Sequence, residues 1–202
     1  MRIRLEELSD YDNVENLTRE AFRNIYRPWC FEHLVIHNLR SSSDFIPELD
    51  FIIESNNKLI WNIVYALWNM NINWTIERVL IFWPVSILPE YQHQWYGQQL
   101  INYSLEKAKE FWYSSVFITW DPEYYKKFWF ESASKYNIHY EWMPIEDEAP
   151  FFMVKILDES KFHFNGWIYS DPSCYNINES ELEEFDKHFS PKEKKVLPWQ
   201  LW

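Results

Sequence analysis

Glycine is nearly missing from this chain. Two of 202 residues, Gly97 and Gly166, are glycine, where average usage gives about 7%, hence roughly 14. Glycine is the ordinary residue for left-handed backbone and for close backbone approach, so turns and helix ends here are built with side chains in place. Tryptophan is in excess by a similar amount, at 13, as if the two counts had been exchanged. The chain is also rich in Asn, Ile, Phe and Tyr and poor in Ala, the bias of an AT-rich gene. A UGA codon that encodes glycine in one lineage reads as tryptophan under another lineage's code, and that exchange gives these two counts. A rival reading keeps the tryptophans as core residues or as a carbohydrate-stacking face.

The length suits one domain, with or without an appendage, and 47% hydrophobic with 25% charged residues argues against wholesale disorder. A net charge of -12 repels a phosphate backbone, so nucleic acid is a poor partner. The segment MRIRLEELSDYD has no apolar run of signal type, and no stretch approaches a membrane span in length. A cytoplasmic protein without a membrane partner is the expectation. Cys30 and Cys174 have no metal-ligand spacing and read as isolated thiols.

Along the chain, residues 2–7 alternate as a strand. Ser9 or Asp10 can cap a helix with Val14, Leu17, Ala21 and Ile25 on one face. A second helix covers about 30–40, with Leu34 and Leu39 inward. Residues 49–55, the turn Asn56-Asn57 and residues 58–67 read as a β-hairpin. The polar stretch 69–77 reads as a loop. Residues 78–88 form an apolar strand of central-sheet type, with Pro84 implying a bulge or a local break in pairing. A helix over 95–111 carries Ile101, Leu105 and Ala108 on one face; a strand at 115–119, a short helix at 122–128, an acidic loop at 141–150 and a strand at 151–157 follow. This order makes an α/β domain with a mixed sheet over 1–157. Residues 158–202 form a C-terminal extension packed on or trailing from it, in which Ser180 and Glu183 box a helix to about 189, stopped by Pro191.

A strand running into a loop at a helix N-terminus makes an anion cradle suited to pyrophosphate. Here the loop is Gln92-His93-Gln94-Trp95-Tyr96-Gly97, with one glycine where such loops use several. The run VSILPEYQHQWYGQQLI, residues 85–101, resembles motif A of the GNAT superfamily of N-acetyltransferases, V-x-V-x-P-x-x-Q/R-x-x-G-x-G-x-x-L, with Trp95 at the first glycine. DPEYYKKFWF, residues 121–130, is similar to the D-P-x-Y-Y-x-x-F-G-F segment of a bacterial GNAT subfamily, with Trp129 at its glycine. The segments ELSDYDNVENLTREAF and DFIPELDFIIE extend the likeness over residues 1–157. Trp61, Trp83, Trp112 and Trp120 also stand where that family has glycine. A stacking face would gather aromatics on one surface, whereas these positions are scattered, so we read them as recoded glycines.

The resemblance implies the GNAT fold, an α/β fold with splayed parallel strands, and direct transfer of an acetyl group from acetyl-CoA to a primary amine of a small molecule or peptide, by a monomer or homodimer without a metal. The backbone of Val85, Ser86 and Ile87 would pair with the pantetheine. The amides of Gln92, His93, Gln94, Trp95, Tyr96, Gly97 and Gln98 would hold the pyrophosphate. Tyr125 matches the family tyrosine that protonates the leaving thiolate, and a packing role is the alternative. The acceptor is not legible, because the region around 24–32 and the acidic loop shape its pocket without a recognisable motif; Glu146-Asp147-Glu148 reads as a solvated loop, whose negative charge near the acceptor side would draw in cationic amines. The base is left open among Glu90, Glu54 and Glu32. His33 and His37 lie four residues apart without a third ligand, and read as a packed or solvated pair. The contrasting reading of the whole chain is a GNAT-like interaction module that has lost its cofactor.

Overall fold

The computed structural model describes residues 1–72, 75–92, 94, 96–162 and 166–200, with the backbone alone at 69–72 and 75–77. Among the described residues the α-helices and β-strands follow in order: β1 (Arg2–Leu5), α1 (Tyr11–Phe22), α2 (Glu32–Arg40), β2 (Phe51–Ser55), β3 (Lys58–Ile72), β4 (Thr75–Ile87), α3 (Tyr96–Glu110), β5 (Ser115–Thr119), α4 (Pro122–Tyr125), β6 (Glu131–Ser132), β7 (Ile138–Tyr140), β8 (Phe152–Ile156), β9 (Trp167–Tyr169) and α5 (Glu179–Asp186). A mixed sheet runs β1-β2-β3-β4-β5-β8-β6, and β7 pairs with β9 in a small second sheet. No helix among the described residues is long and apolar enough to cross a membrane. The chain forms two compact units, one of residues 1–64, 84–101 and 173–202, the other of 65–83 and 102–172.

In the first unit β1, β2 and the start of β3 form an antiparallel meander. Asn56 and Asn57 both have positive φ, 51° and 60°, between the paired residues Ser55 and Lys58, which is the two-residue turn that suits the twist of a hairpin. The register shifts after Ile53↔Trp61, because Ile60 is an extra residue, and its carbonyl accepts the Leu88 amide at 3.1 Å. Helix α1 buries Val14, Leu17, Ala21 and Phe22. It ends before Asn24, whose φ of 59° turns the chain and leaves Ile25 exposed rather than on the apolar face. Asp10 precedes α1 but does not cap it; its carboxylate instead takes two bonds from Arg4 and one from the Glu7 amide. Helix α2 buries Leu34, Val35, Ile36 and Leu39.

In the second unit β4 and β5 are parallel, paired at Leu80↔Val116 and Ile81↔Phe117, and β8 lies antiparallel on the other side of β5. Val79, Leu80, Ile81 and Phe82 are all buried, as a strand covered on both faces requires. The expected loop at 69–77 is not one: β3 runs to Ile72 and β4 begins at Thr75. Helix α3 ends in a Schellman motif, with the Trp112 amide on the Lys109 carbonyl and the Tyr113 amide on that of Ala108.

The tail helix differs from the expected one in its cap. Asn178, not Ser180, accepts the capping bond, from the Ser180 amide at 2.9 Å, and α5 ends at Asp186 rather than near 189.

Candidate active site

Strand β4 changes character along its length. Past Phe82, burial alternates: Trp83, Val85 and Ile87 are half-buried, whereas Pro84, Ser86 and Leu88 are buried. The Ser86 hydroxyl lies 2.7 Å from that of Thr18 on α1, both fully buried. One face of the 84–88 segment is therefore anchored to α1, while the other carries half-open side chains. Pairing with β5 is confined to residues 80 and 81 although both strands continue, β4 to Ile87 and β5 to Thr119.

After β4 a single turn of 3-10 helix at Pro89–Tyr91 leads to Gln92, which is extended. The Gln92 amide side chain donates to the Ile87 carbonyl at 3.4 Å, and that of Gln94 to the Glu90 carbonyl at 3.1 Å. Tyr96, Gly97 and Gln98 form the first turn of α3. His93 and Trp95, both expected at the cradle, lie outside the described residues. Gly97 is buried under the indole of Trp61: a Cβ built there would sit 1.8 Å from Cη2 of that ring. Trp61 itself is 1% exposed, and its indole N–H is buried with no partner among the described residues.

Tyr125 ends α4, whose Asp121 cap accepts the Glu123 amide at 2.9 Å. Its ring is buried against Phe82, Tyr124, Phe128 and Phe130, with centroids 4.9–6.1 Å away.

The three candidate bases are in different states. Glu90 is exposed and ion-paired with Lys58 at 2.6 Å, which holds its carboxyl below the usual range. Glu54 is tied to Arg4 at 3.2 Å. Glu32, the first residue of α2, is buried and takes the Phe31 amide at 2.9 Å; burial pushes its carboxyl up to about 7. His37 bonds Glu15 at 3.0 Å. His33 is fully buried between Cys30, 3.4 Å from its Nδ1, and Asp186, 3.3 Å from its Nε2. Burial lowers His33 to about 4 against the pull of Asp186. No group of three or more metal-type ligands occurs among the described residues.

The tryptophans at expected glycine positions fall into distinct settings. Among the described residues seven have positive φ: Gly166, four asparagines, Trp112 and Trp129. Both tryptophans have φ of 67° and are 78% and 80% exposed. Bulky residues are outliers in this region, and here no burial of the ring offsets the strain. Trp83 and Trp120 are half-buried.

The architecture is the GNAT fold. The chain is similar in structure to a GNAT family N-acetyltransferase, YhbS, from Escherichia coli in complex with CoA, with a TM-score of 0.70 and 21% identity over 84% of this chain and 89% of that one. It is also similar to a GNAT family acetyltransferase from Brucella melitensis in complex with acetyl-CoA, with a TM-score of 0.66 and 17% identity over 87% of this chain and 97% of that one. No protein-family model matches the chain, and no curated protein matches it in sequence.

Proposed function

We propose that the protein is an acetyl-CoA-dependent N-acetyltransferase, which moves the acetyl group directly to a primary amine of a small molecule or peptide. The observation that carries this reading is the 84–98 segment. A strand anchored on one face by Ser86 continues beyond residues 80 and 81, where it pairs with β5, and leads towards the first turn of a fifteen-residue helix. Such a strand edge suits an extended amide chain like pantetheine, using the backbone of Val85, Ser86 and Ile87. The amides that open a helix suit a pyrophosphate, which assigns residues 92–98 to that group. Tyr125 is the acid that protonates the departing thiolate. Glu32 is the base: of the three candidates it alone is buried without an ion pair, and a carboxyl near 7 is matched to accepting a proton from an amine. The proteins similar in structure are acetyltransferases crystallised with CoA and acetyl-CoA, which supports acetyl transfer in general.

The proposal includes the chain's composition. Trp61, Trp83, Trp95, Trp112, Trp120 and Trp129 stand for glycines read from UGA codons. The left-handed backbone at 112 and 129 supports this at two of the six positions.

Titration calorimetry with acetyl-CoA, on the chain as written and on the chain with glycine at all six positions, tests both parts. Binding restored or strengthened by the glycines is expected, because the motif that residues 85–101 resemble has glycine at 95, where backbone must approach phosphate closely. Equal affinity would overturn the recoding as a statement about function; no binding by either form would overturn the transferase and favour the interaction module. UGG codons at the six positions in the gene would overturn the recoding outright.

A further inference from the structure

Polar groups hold the C-terminal segment to the end of α1. The Asp186 carboxylate accepts from Arg19 Nε at 2.6 Å and Nη2 at 3.1 Å and from Arg23 Nη1 at 3.5 Å. Arg19 also donates to the Ser190 carbonyl at 3.1 Å, and Arg23 to that of Lys192 at 2.5 Å. Asn24 has the left-handed backbone that turns the chain out of α1, and the tail takes up its polar groups one by one. Its side-chain amide donates to the Glu193 carbonyl at 3.0 Å, its side-chain oxygen accepts the Lys195 amide at 2.9 Å, and its main-chain carbonyl accepts Gln200 Nε2 at 3.0 Å. Apolar burial adds less. Leu182 is buried, Phe185, Phe189 and Leu197 are half-buried, and Val196 and Trp199 are exposed. From Lys187 to Gln200 the chain has neither helix nor strand. A segment with few buried apolar contacts and no backbone ladder opens at a lower free energy than the elements it covers.

Behind this segment lies a group that the proposed chemistry does not use. Cys30, near the end of the connection from α1 to α2, is 3% exposed, whereas Cys174 is half-buried. The Cys30 Sγ is 3.4 Å from His33 Nδ1 and 3.8 Å from the Arg19 carbonyl, and burial pushes the thiol up. The segment touches neighbours of Cys30 on both sides. Phe185 and Phe189 pack their rings on His33, Asp186 Oδ1 is 3.3 Å from His33 Nε2, and Lys194 Nζ is 5.8 Å above the Trp29 ring. Thiol, imidazole and carboxylate therefore follow one another at 3.4 and 3.3 Å, and the carboxylate belongs to the tail.

We propose that the C-terminal segment is a strap that opens as one unit over the folded α1–α2 pair, with Asp186 as its catch, and that its opening governs access to Cys30. The strap moves as a unit because Asp186, Ser190, Lys192, Glu193, Lys195 and Gln200 all bond to Arg19, Arg23 or Asn24, so freeing one loosens the others. Asp186 is the catch because its bonds are charge-assisted and because it alone among these residues reaches both α1 and His33 of α2.

The test labels Cys30 with a dipyridyl disulfide in the full chain carrying Cys174→Ser, reads the released thiopyridone by absorbance, and follows amide hydrogen exchange in parallel. The parent should label far more slowly than the urea-unfolded chain, at a rate that depends on urea much less steeply than global unfolding does. Asp186→Asn should speed labelling by about tenfold. Asn24→Gly keeps the left-handed turn and removes two of the strap's bonds, so it should speed labelling by about fivefold. In both variants exchange over 179–200 should rise while exchange over β2 stays as it was. Labelling with the urea dependence of global unfolding would overturn the separate opening. Labelling of the folded parent as fast as that of the unfolded chain would show that nothing covers the thiol, and would overturn it as well. Faster exchange over 179–200 without faster labelling would give the cover to other residues, and unmoved exchange in Asp186→Asn would remove the catch; either result sinks the proposal.

Discussion

Six side-chain-bearing residues of the described chain adopt left-handed backbone, and four of them are asparagine, which tolerates it. Trp112 and Trp129 are the other two. An exposed indole gains nothing from burial, so the backbone term decides: Trp129→Gly should stabilise the fold by about 1 kcal/mol, read by urea unfolding. Trp112→Gly should gain less, because Lys161 sits 4.4 Å over that ring and a contact of this kind at an exposed site is worth about 0.5–1 kcal/mol. A loss of stability at residue 129 would mean that the indole makes contacts there worth more than the strain. The chemical groups are tested at the same scale. Tyr125→Phe should lower turnover while acetyl-CoA affinity holds, since it removes one hydroxyl from a ring walled by four others. Glu32→Gln should lower turnover and remove the rise in kcat expected through about pH 7. A Tyr125→Phe enzyme with full turnover would assign that ring to packing. An unchanged pH profile in Glu32→Gln would move the base elsewhere.

At the scale of elements, the hairpin at Asn56-Asn57, the central strand and the inner faces of α2 and α3 could be read from spacing, because burial imposes a period on several successive residues. The extended β3–β4 pair could also have been read: WNMNINWTIE, residues 68–77, alternates strictly, but its asparagines look like loop residues when composition is weighed above period. Strands β6, β7 and β9 have two or three residues each, too few for any period, and only their partners define them. The ends of helices were the least legible. Asp10 is spent on Arg4, and Asn178 takes the cap expected of Ser180, since several neighbouring polar residues can fill such a place and tertiary partners choose among them. The strand that ends at Ile87 and the helix that begins at Tyr96 were legible from their spacing, and what depends on burial was not. Nothing in the sequence separates Glu32 from Glu54 or Glu90, whose different partners come from elsewhere in the chain. The crowding of Gly97 under Trp61 gives a prediction for this level. In the chain as written Gly97→Ala should be strongly destabilising, because its Cβ would meet the ring at 1.8 Å. With Trp61→Gly in the same chain most of that cost should vanish. A double-mutant cycle by thermal melting reads the coupling, and additive effects would show that the helix shifts to make room.

For the whole molecule, the distribution of buried carboxyls sets how stability responds to acid. Glu6 lies buried beside Asp50 and close to Arg40, which it shares with Glu15. Burial, with the Asp50 carboxyl beside it, outweighs the pull of Arg40 and pushes Glu6 up to about 10; burial raises Asp50 as well. Glu32 has the same sign. These groups hold protons in the folded chain that the unfolded chain releases above about pH 4.5, so their contribution is complete below that value and is lost as pH rises towards 10. Asp10 has the opposite sign: its bonds from Arg4 keep it below the usual carboxylate range, so its contribution is lost as pH falls through that range. Burial works against Asp186, but Arg19 wins and lowers it too. The melting temperature should therefore peak in mild acid, near pH 5, and decline towards pH 9, and Glu6→Gln should flatten the decline. A melting temperature that rises from pH 5 to 9 would place the proton of the Glu6–Asp50 pair outside the folded state.

The bonds that hold Asn24 join residues 169 to 176 positions apart. Contacts so distant in sequence close late, because the loop entropy they cost falls due before they can form. The turn after α1 is thus among the last features to mature. A molecule whose strands have paired and whose tail is still free already holds the end of β4 on α1 through Ser86 and Thr18, so during folding that docking precedes the closing of the tail over the turn.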